Sequence, residues 1–148
     1  DSENTPVIRE LNSYLNTQGA AQRTAGNVNP NARNLENLIF KNQSAVYFYS
    51  GNINTYGDKP KNLYSDLSSL RQVASTDFLK DNIEIVIVSI KNSNDLNGNL
   101  DMSLLSSLKK LKYVYFVCEV NASENNIARI VSNSSDKYSF YFKVENKS

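Results

Sequence analysis

Three segments in which almost every side chain is apolar, residues 45–50, 83–90 and 113–120, constrain this chain more than anything else in it. None alternates cleanly enough to have one dry face and one wet one. A strand apolar on both sides must be covered on both sides, which is the condition of a central strand in a parallel α/β sheet. Each segment follows leucines at helical spacing and precedes an Asn-rich loop, so a unit of helix, strand and polar loop occurs three times.

The helical stripes are Leu35, Leu38 and Ile39, then Leu63, Leu67, Leu70 and Ala74, then Leu104, Leu105, Leu108 and Leu111. The segments between the strands reach the dozen or so residues that a parallel crossover requires, and right-handed crossovers are the default. A shorter helix over 127–131 leads to a last strand over 138–144. There Tyr138, Phe140, Phe142 and Val144 face one way, and Ser139, Tyr141 and Lys143 the other. One wetter face belongs at an edge, so this strand is expected at the margin of the sheet, open to strand addition. The expectation is one α/β domain over 31–148, with a mainly parallel sheet of about four strands and helical crossovers.

Ahead of it, Thr5 and Pro6 have the character of a helix opening, and Val7, Ile8, Leu11, Tyr14 and Leu15 form one apolar stripe that Gly19 stops. Residues 20–30 carry little to bury, so residues 1–30 are expected to be an N-terminal helix and linker.

The run Leu104, Leu105, Leu108, Leu111, Tyr113, Val114, Tyr115 resembles a leucine-rich-repeat segment, in which spaced leucines lead into a short parallel strand. The resemblance covers residues 104–120, and the uneven spacing of the other strands departs from a fixed repeat. Most members of that family are binding scaffolds, so the resemblance implies partner recognition.

Composition narrows the function classes. Sixteen basic residues stand against 15 acidic ones, a net charge of +1, which gives no field to steer the chain toward nucleic acid or an anionic bilayer. There is no histidine, so the commonest acid–base catalyst and the commonest metal ligand are both missing. The one cysteine, Cys118, sits in an apolar strand and reads as a small core residue. No stretch reaches the roughly 18 apolar residues of a membrane span. The polar start at Asp1 is what a cleaved export or anchor signal leaves, so an exported protein is expected. Sequons at Asn42, Asn121, Asn133 and Asn146 follow from the abundance of Asn and Ser.

Three near-motifs fail on chemistry. The loop from Gly51 to Pro60 has five residues between its glycines, and Asp58 stands where a phosphate-binding loop needs Lys. Ser93, Asp95 and Asn97 before Gly98 have the spacing of a calcium loop, but Leu104 occupies the position of the bidentate Glu. An Asn97-Gly98 turn with Asp101 capping the next helix is the simpler reading. Ser50 ends a strand as nucleophiles do in α/β enzymes, without a flanking motif or a histidine base.

What remains is a non-enzymatic module without cofactor or metal, binding a protein or a small ligand. Its surface is expected at the loops beyond the strand carboxyl ends, where open parallel sheets gather ligands: Asn52, Asn54, Asp58, Lys59, Asn94, Asp95, Asn121 and Glu124. The tyrosines supply a second surface. Tyr47 and Tyr49 share one strand face, as do Tyr113 and Tyr115. Under a covered face they are core, and on an open one they form an aromatic platform suited to sugars or a protein partner. The alternative function is a hydrolase or transferase that works without histidine through two loop carboxylates within about 10 Å of each other.

Overall fold

The computed structural model describes residues 5–18 and 29–145. Its centre is a seven-stranded sheet. The strands are β1 (Ile8–Glu10), β2 (Ala45–Tyr49), β3 (Asn52–Tyr56), β4 (Asn62–Asp66), β5 (Ile85–Ile90), β7 (Tyr113–Cys118) and β9 (Ser139–Val144). They lie in the order β1-β9-β7-β5-β4-β2-β3, all neighbours parallel except the β2–β3 hairpin. A two-stranded ribbon of β6 (Leu100–Asp101) and β8 (Val131–Ser132) lies beside it. The helices are α1 (Leu11–Gln18), α2 (Pro30–Phe40), α3 (Leu67–Leu70) and α4 (Glu124–Ile130).

From β2 the chain steps through β4, β5, β7 and β9 in one direction across the sheet. A uniform hand of crossover puts the connections of such steps on one face. On that face Phe48, Leu63, Val88, Phe116, Phe140 and their strand neighbours pack against Leu70, Met102, Leu105, Leu108, Ile127 and Ile130. The connection from β1 to β2 runs the other way and covers the opposite face. There Leu11 and Leu15 of α1 and Ala32, Leu35 and Leu38 of α2 pack on Ile85, Ile87, Tyr113, Tyr115 and Tyr141. Both faces of β5 and β7 are therefore dry, as their apolar runs demand.

The α/β class and mostly parallel sheet agree with the sequence, and the strand count does not. Seven strands form where about four were expected, because three lie in segments with helical or loop character. Ile8–Glu10 pairs with β9 instead of continuing a helix from Pro6, and α1 starts only at Leu11. Leu63, expected on a helix with Leu67 and Leu70, lies in β4. Asp66 ends that strand and starts α3, its carboxylate accepting from the Ser69 amide at 2.9 Å. The polar segment Asn52–Tyr56 becomes β3 through a two-residue turn in which Ser50 and Gly51 take φ of 53° and 82°, the backbone that matches the twist of a hairpin. The third leucine stripe forms a 3-10 turn over Met102–Leu105, not an α-helix, capped by Asp101 as expected.

The last strand is not at an edge. β9 lies between β7 and β1, and Tyr141, assigned to a wet face, is 1% exposed. Its hydroxyl accepts from Asn31 Nδ2 at 3.3 Å and its ring lies 5.0 Å from that of Tyr14. The polar atom satisfied in this way lets an alternating strand be buried on both sides. The edges are β1 and β3. The expected stop at Gly19 and most of the expected linker lie outside the described residues, while Asn29 and Pro30 open α2 as N-cap and first helical residue.

Candidate functional site

The cover given by α1 and α2 is incomplete. Over β7 and β9 the tyrosines are buried, and Tyr113 is tethered as Tyr141 is: Tyr113 Oη donates to Asn31 Oδ1 at 2.8 Å and accepts from Asn34 Nδ2 at 3.2 Å. Over β2, β3 and β4 the same face opens. Tyr47 is 37% and Tyr56 60% exposed, and Tyr49 and Tyr64 are half-buried. Parallel pairing of β2 with β4 sets Tyr47 beside Tyr64, and antiparallel pairing with β3 sets Tyr47 opposite Asn54 and Ala45 opposite Tyr56. The Tyr47 and Tyr64 rings stack with centroids 4.6 Å apart and planes at 6°. Tyr56 meets Tyr47 edge-on at 5.5 Å. The aromatic platform and the aromatic core conceived from the sequence thus coexist on one face.

Burial raises the Tyr47 hydroxyl pKa, with Tyr64, Tyr49 and Tyr56 adding to it, so this hydroxyl is uncharged at neutral pH. Tyr49 is raised by the same cause and lies 3.4 Å from Ser89 Oγ across β4. Such a surface offers aromatic ring faces together with hydroxyl groups.

β3 forms the margin of this patch. Four of its five residues are exposed, and among the described residues no strand pairs with its outer side. The closing pair of a two-residue hairpin, here Tyr49 with Asn52, is a hydrogen-bonded pair. Alternation from that pair points the N–H and C=O of Ile53 and Thr55 outward, away from β2. No charged residue, proline or bulge blunts this edge between Gly51 and Gly57.

The eight residues expected in binding loops do not converge on one site. Asn52 and Asn54 lie on β3, across from Tyr49 and Tyr47. Asp58 and Lys59 sit at the opposite end of the sheet, because the hairpin returns the chain to the strand amino ends. They line a hollow of about 320 Å³ with Pro60, Phe78 and Lys80. Asn94 and Asp95 follow β5 and border a second hollow of about 340 Å³ with Asp66, Ser89 and Lys91. Asn121 and Glu124 follow β7, and Glu124 borders a third, of about 450 Å³, with Arg9, Glu10 and Tyr14. With strands about 4.8 Å apart, loops after β2, β5 and β7 are spread along the rim.

Three carboxylates, Asp95, Asp101 and Glu10, are held by local structure. Asp95 Oδ2 accepts from the Lys91 and Asn92 amides at 2.9 and 3.3 Å in a capping box. Asp101 accepts from the Ser103 hydroxyl, from Asn133 Nδ2 at 2.9 Å and from the Ser103 amide. These bonds hold its carboxyl below the ordinary range. Glu10 accepts from the Ser13 amide at 2.7 Å. Among the described residues no three His, Cys, Asp or Glu side chains gather as a metal site, and no helix is long and apolar enough to cross a membrane. Ser50 lies in the hairpin turn with its amide donating to Ser69 Oγ at 2.9 Å. Cys118 is buried, which pushes its thiol up to about 11.

Tyr56 and Tyr64 join Tyr47 in this patch although sequence patterning puts neither of them on a strand. Tyr56 falls in the loop from Gly51 to Pro60, and Tyr64 stands between the helically spaced Leu63 and Leu67. The signal for them was Ser50-Gly51 between two short segments, a hairpin turn that would have placed Tyr56 on a strand. Comparison with protein-family models, with curated proteins and with solved structures finds no match in any of the three.

Proposed function

We propose that this protein is a non-enzymatic binding module that takes up an extended polypeptide along β3, with side chains of that polypeptide laid on the Tyr47, Tyr56 and Tyr64 rings. The observation that carries the reading is the combination, at one margin, of an unblunted strand edge and an exposed aromatic stack. Strand addition draws affinity from main-chain hydrogen bonds and specificity from alternate side chains. Ile53 and Thr55 offer the former, and the tyrosines beside them the latter. Asn52 and Asn54, on the tyrosine side of β3, add amide donors and acceptors to the same surface. The resemblance of residues 104–120 to a leucine-rich-repeat segment is in keeping with a binding scaffold.

The test is a displayed library of linear peptides selected on the immobilised protein, with the affinity of winners measured by calorimetry. The reading expects extended, β-prone peptides whose affinity falls at least tenfold, about 1.4 kcal/mol, for Tyr47→Ala and for Tyr56→Ala. Winners that bind both variants as tightly as the parent would overturn it.

A further inference from the structure

Resting on the proposal that β3 is a strand-addition edge, we infer that a second copy of this chain occupies that edge, pairing β3 with β3 antiparallel about a twofold axis through Asn54. An isologous interface must be self-complementary: whatever residue i meets in the partner must meet residue i in return. Centring the axis on Asn54 sets Asn54 opposite itself, Ile53 opposite Thr55 of the partner copy, and Asn52 opposite Tyr56, so all five residues of β3 overlap. The outward N–H and C=O groups belong to Ile53 and Thr55, which are the two residues this register pairs. Each Ile53–Thr55 couple exchanges both of its hydrogen bonds, and every outward group of β3 acquires a partner.

The side chains agree. Antiparallel partners share a face, so Ile53, partly buried against the core, lies beside the methyl group of the partner copy's Thr55. On the other face the Asn54 amides meet, and an amide is at once donor and acceptor, so it complements itself. The strand is neutral from Gly51 to Gly57, so no like charges face each other. The axis is perpendicular to the sheet, which keeps the Tyr47, Tyr56 and Tyr64 patches of both copies on one side as a continuous aromatic surface. A peptide at β3 and the second copy compete for the same hydrogen bonds, so the dimer is the resting form and the peptide releases it.

Sedimentation velocity across a wide concentration range tests this, with two variants. The parent is expected to show a concentration-dependent monomer–dimer equilibrium. Thr55→Pro removes only an outward N–H, and proline is accepted on edge strands, so it is expected to stay monomeric with an unchanged circular dichroism spectrum and melting temperature. Asn54 in a non-hydrogen-bonded pair has its Cα about 4.5 Å from that of its mate, inside the range of about 4.4–6.8 Å that a disulfide spans. Asn54→Cys with oxidised glutathione is therefore expected to give a covalent dimer and Ser68→Cys, exposed on α3, none; the native Cys118 is buried. A parent that is monomeric throughout, or equal cross-linking at positions 54 and 68, would overturn the dimer. A monomeric parent that still binds selected peptides, less tightly as Tyr47→Ala, removes the dimer alone and leaves the strand-addition reading standing.

Discussion

The Tyr47 ring lies flat on that of Tyr64, centroids 4.6 Å apart and planes at 6°, at the place where the helical cover of the sheet gives out. Register produces the pair: Tyr47 and Tyr64 are direct neighbours on parallel strands, and both point to the face that α1 and α2 reach only over the middle of the sheet. Stacked pairs contribute about 0.5–1.5 kcal/mol beyond the area they bury. A double-mutant cycle of Tyr47→Ala and Tyr64→Ala in urea unfolding is expected to return a coupling in that range, and zero coupling would mean the stack does not persist in solution.

Asn31 ties α2 to the buried part of the same face. Its side chain meets the hydroxyls of Tyr14, Tyr113 and Tyr141 at 2.8, 2.8 and 3.3 Å. Removing it leaves buried hydroxyls short of a partner, which costs about 1–3 kcal/mol. Asn31→Ala is expected to lower the urea unfolding free energy by that amount, and a loss below about 0.5 kcal/mol would show that water replaces the amide.

The buried phenols and the thiol set an alkaline limit. Burial, with Tyr14 adjacent, pushes Tyr141 up to about 12, and Tyr115 is raised further by burial and by Glu145 and Glu10. Cys118 rises to about 11. Raised values mean that folding favours the neutral forms, so this stability is intact below the unfolded values and lost as pH climbs toward the folded ones. Stability is expected to hold to about pH 9 and fall between about pH 9 and 12, followed by tyrosinate absorbance and circular dichroism together. Full ionisation of the tyrosines near pH 10 with the fold intact would contradict the tethered core.

Much of this fold was legible in the chain. The apolar runs of β2, β5 and β7 and the leucine stripe of α2 declared themselves because buried strands and one face of a helix leave periodic marks, although β2 is covered on one face only, with Tyr47 open on the other. β4 did not, since the last four of its five residues, followed by one helical turn, place Leu63, Leu67 and Leu70 at helical intervals by coincidence. β9 was found but misplaced, because the amide that buries the Tyr141 hydroxyl comes from Asn31, far off in sequence. The expected loop residues are spread apart for a topological reason: the β2–β3 hairpin sends Asp58 and Lys59 to the other end of the sheet from Asn94, Asp95, Asn121 and Glu124, and sequence shows no such reversal unless Ser50-Gly51 is read as a tight turn.

Asp101 offers a local acid-side check. Its bonds from the Ser103 hydroxyl, Asn133 and the Ser103 amide lower its pKa, so the carboxylate supports the folded state above its unfolded pKa. That support is lost as pH falls through the folded one. A carbon-detected carboxyl titration is expected to place the Asp101 midpoint below the ordinary carboxylate range, and to move it back up in Asn133→Ala. An ordinary midpoint in the parent would mean that these bonds do not form in solution.

In the proposed function β3 is an open edge that captures an extended chain. Residue-resolved hydrogen exchange of the dilute protein, with and without a selected peptide, reads it directly. The Ile53 and Thr55 amides are expected to exchange quickly when the edge is free, and those of Asn54 and Tyr56, bonded to β2, slowly. Peptide should then protect Ile53 and Thr55 and leave the rest of the sheet unchanged. Protection elsewhere, with those two amides still exchanging freely in the bound state, would contradict it.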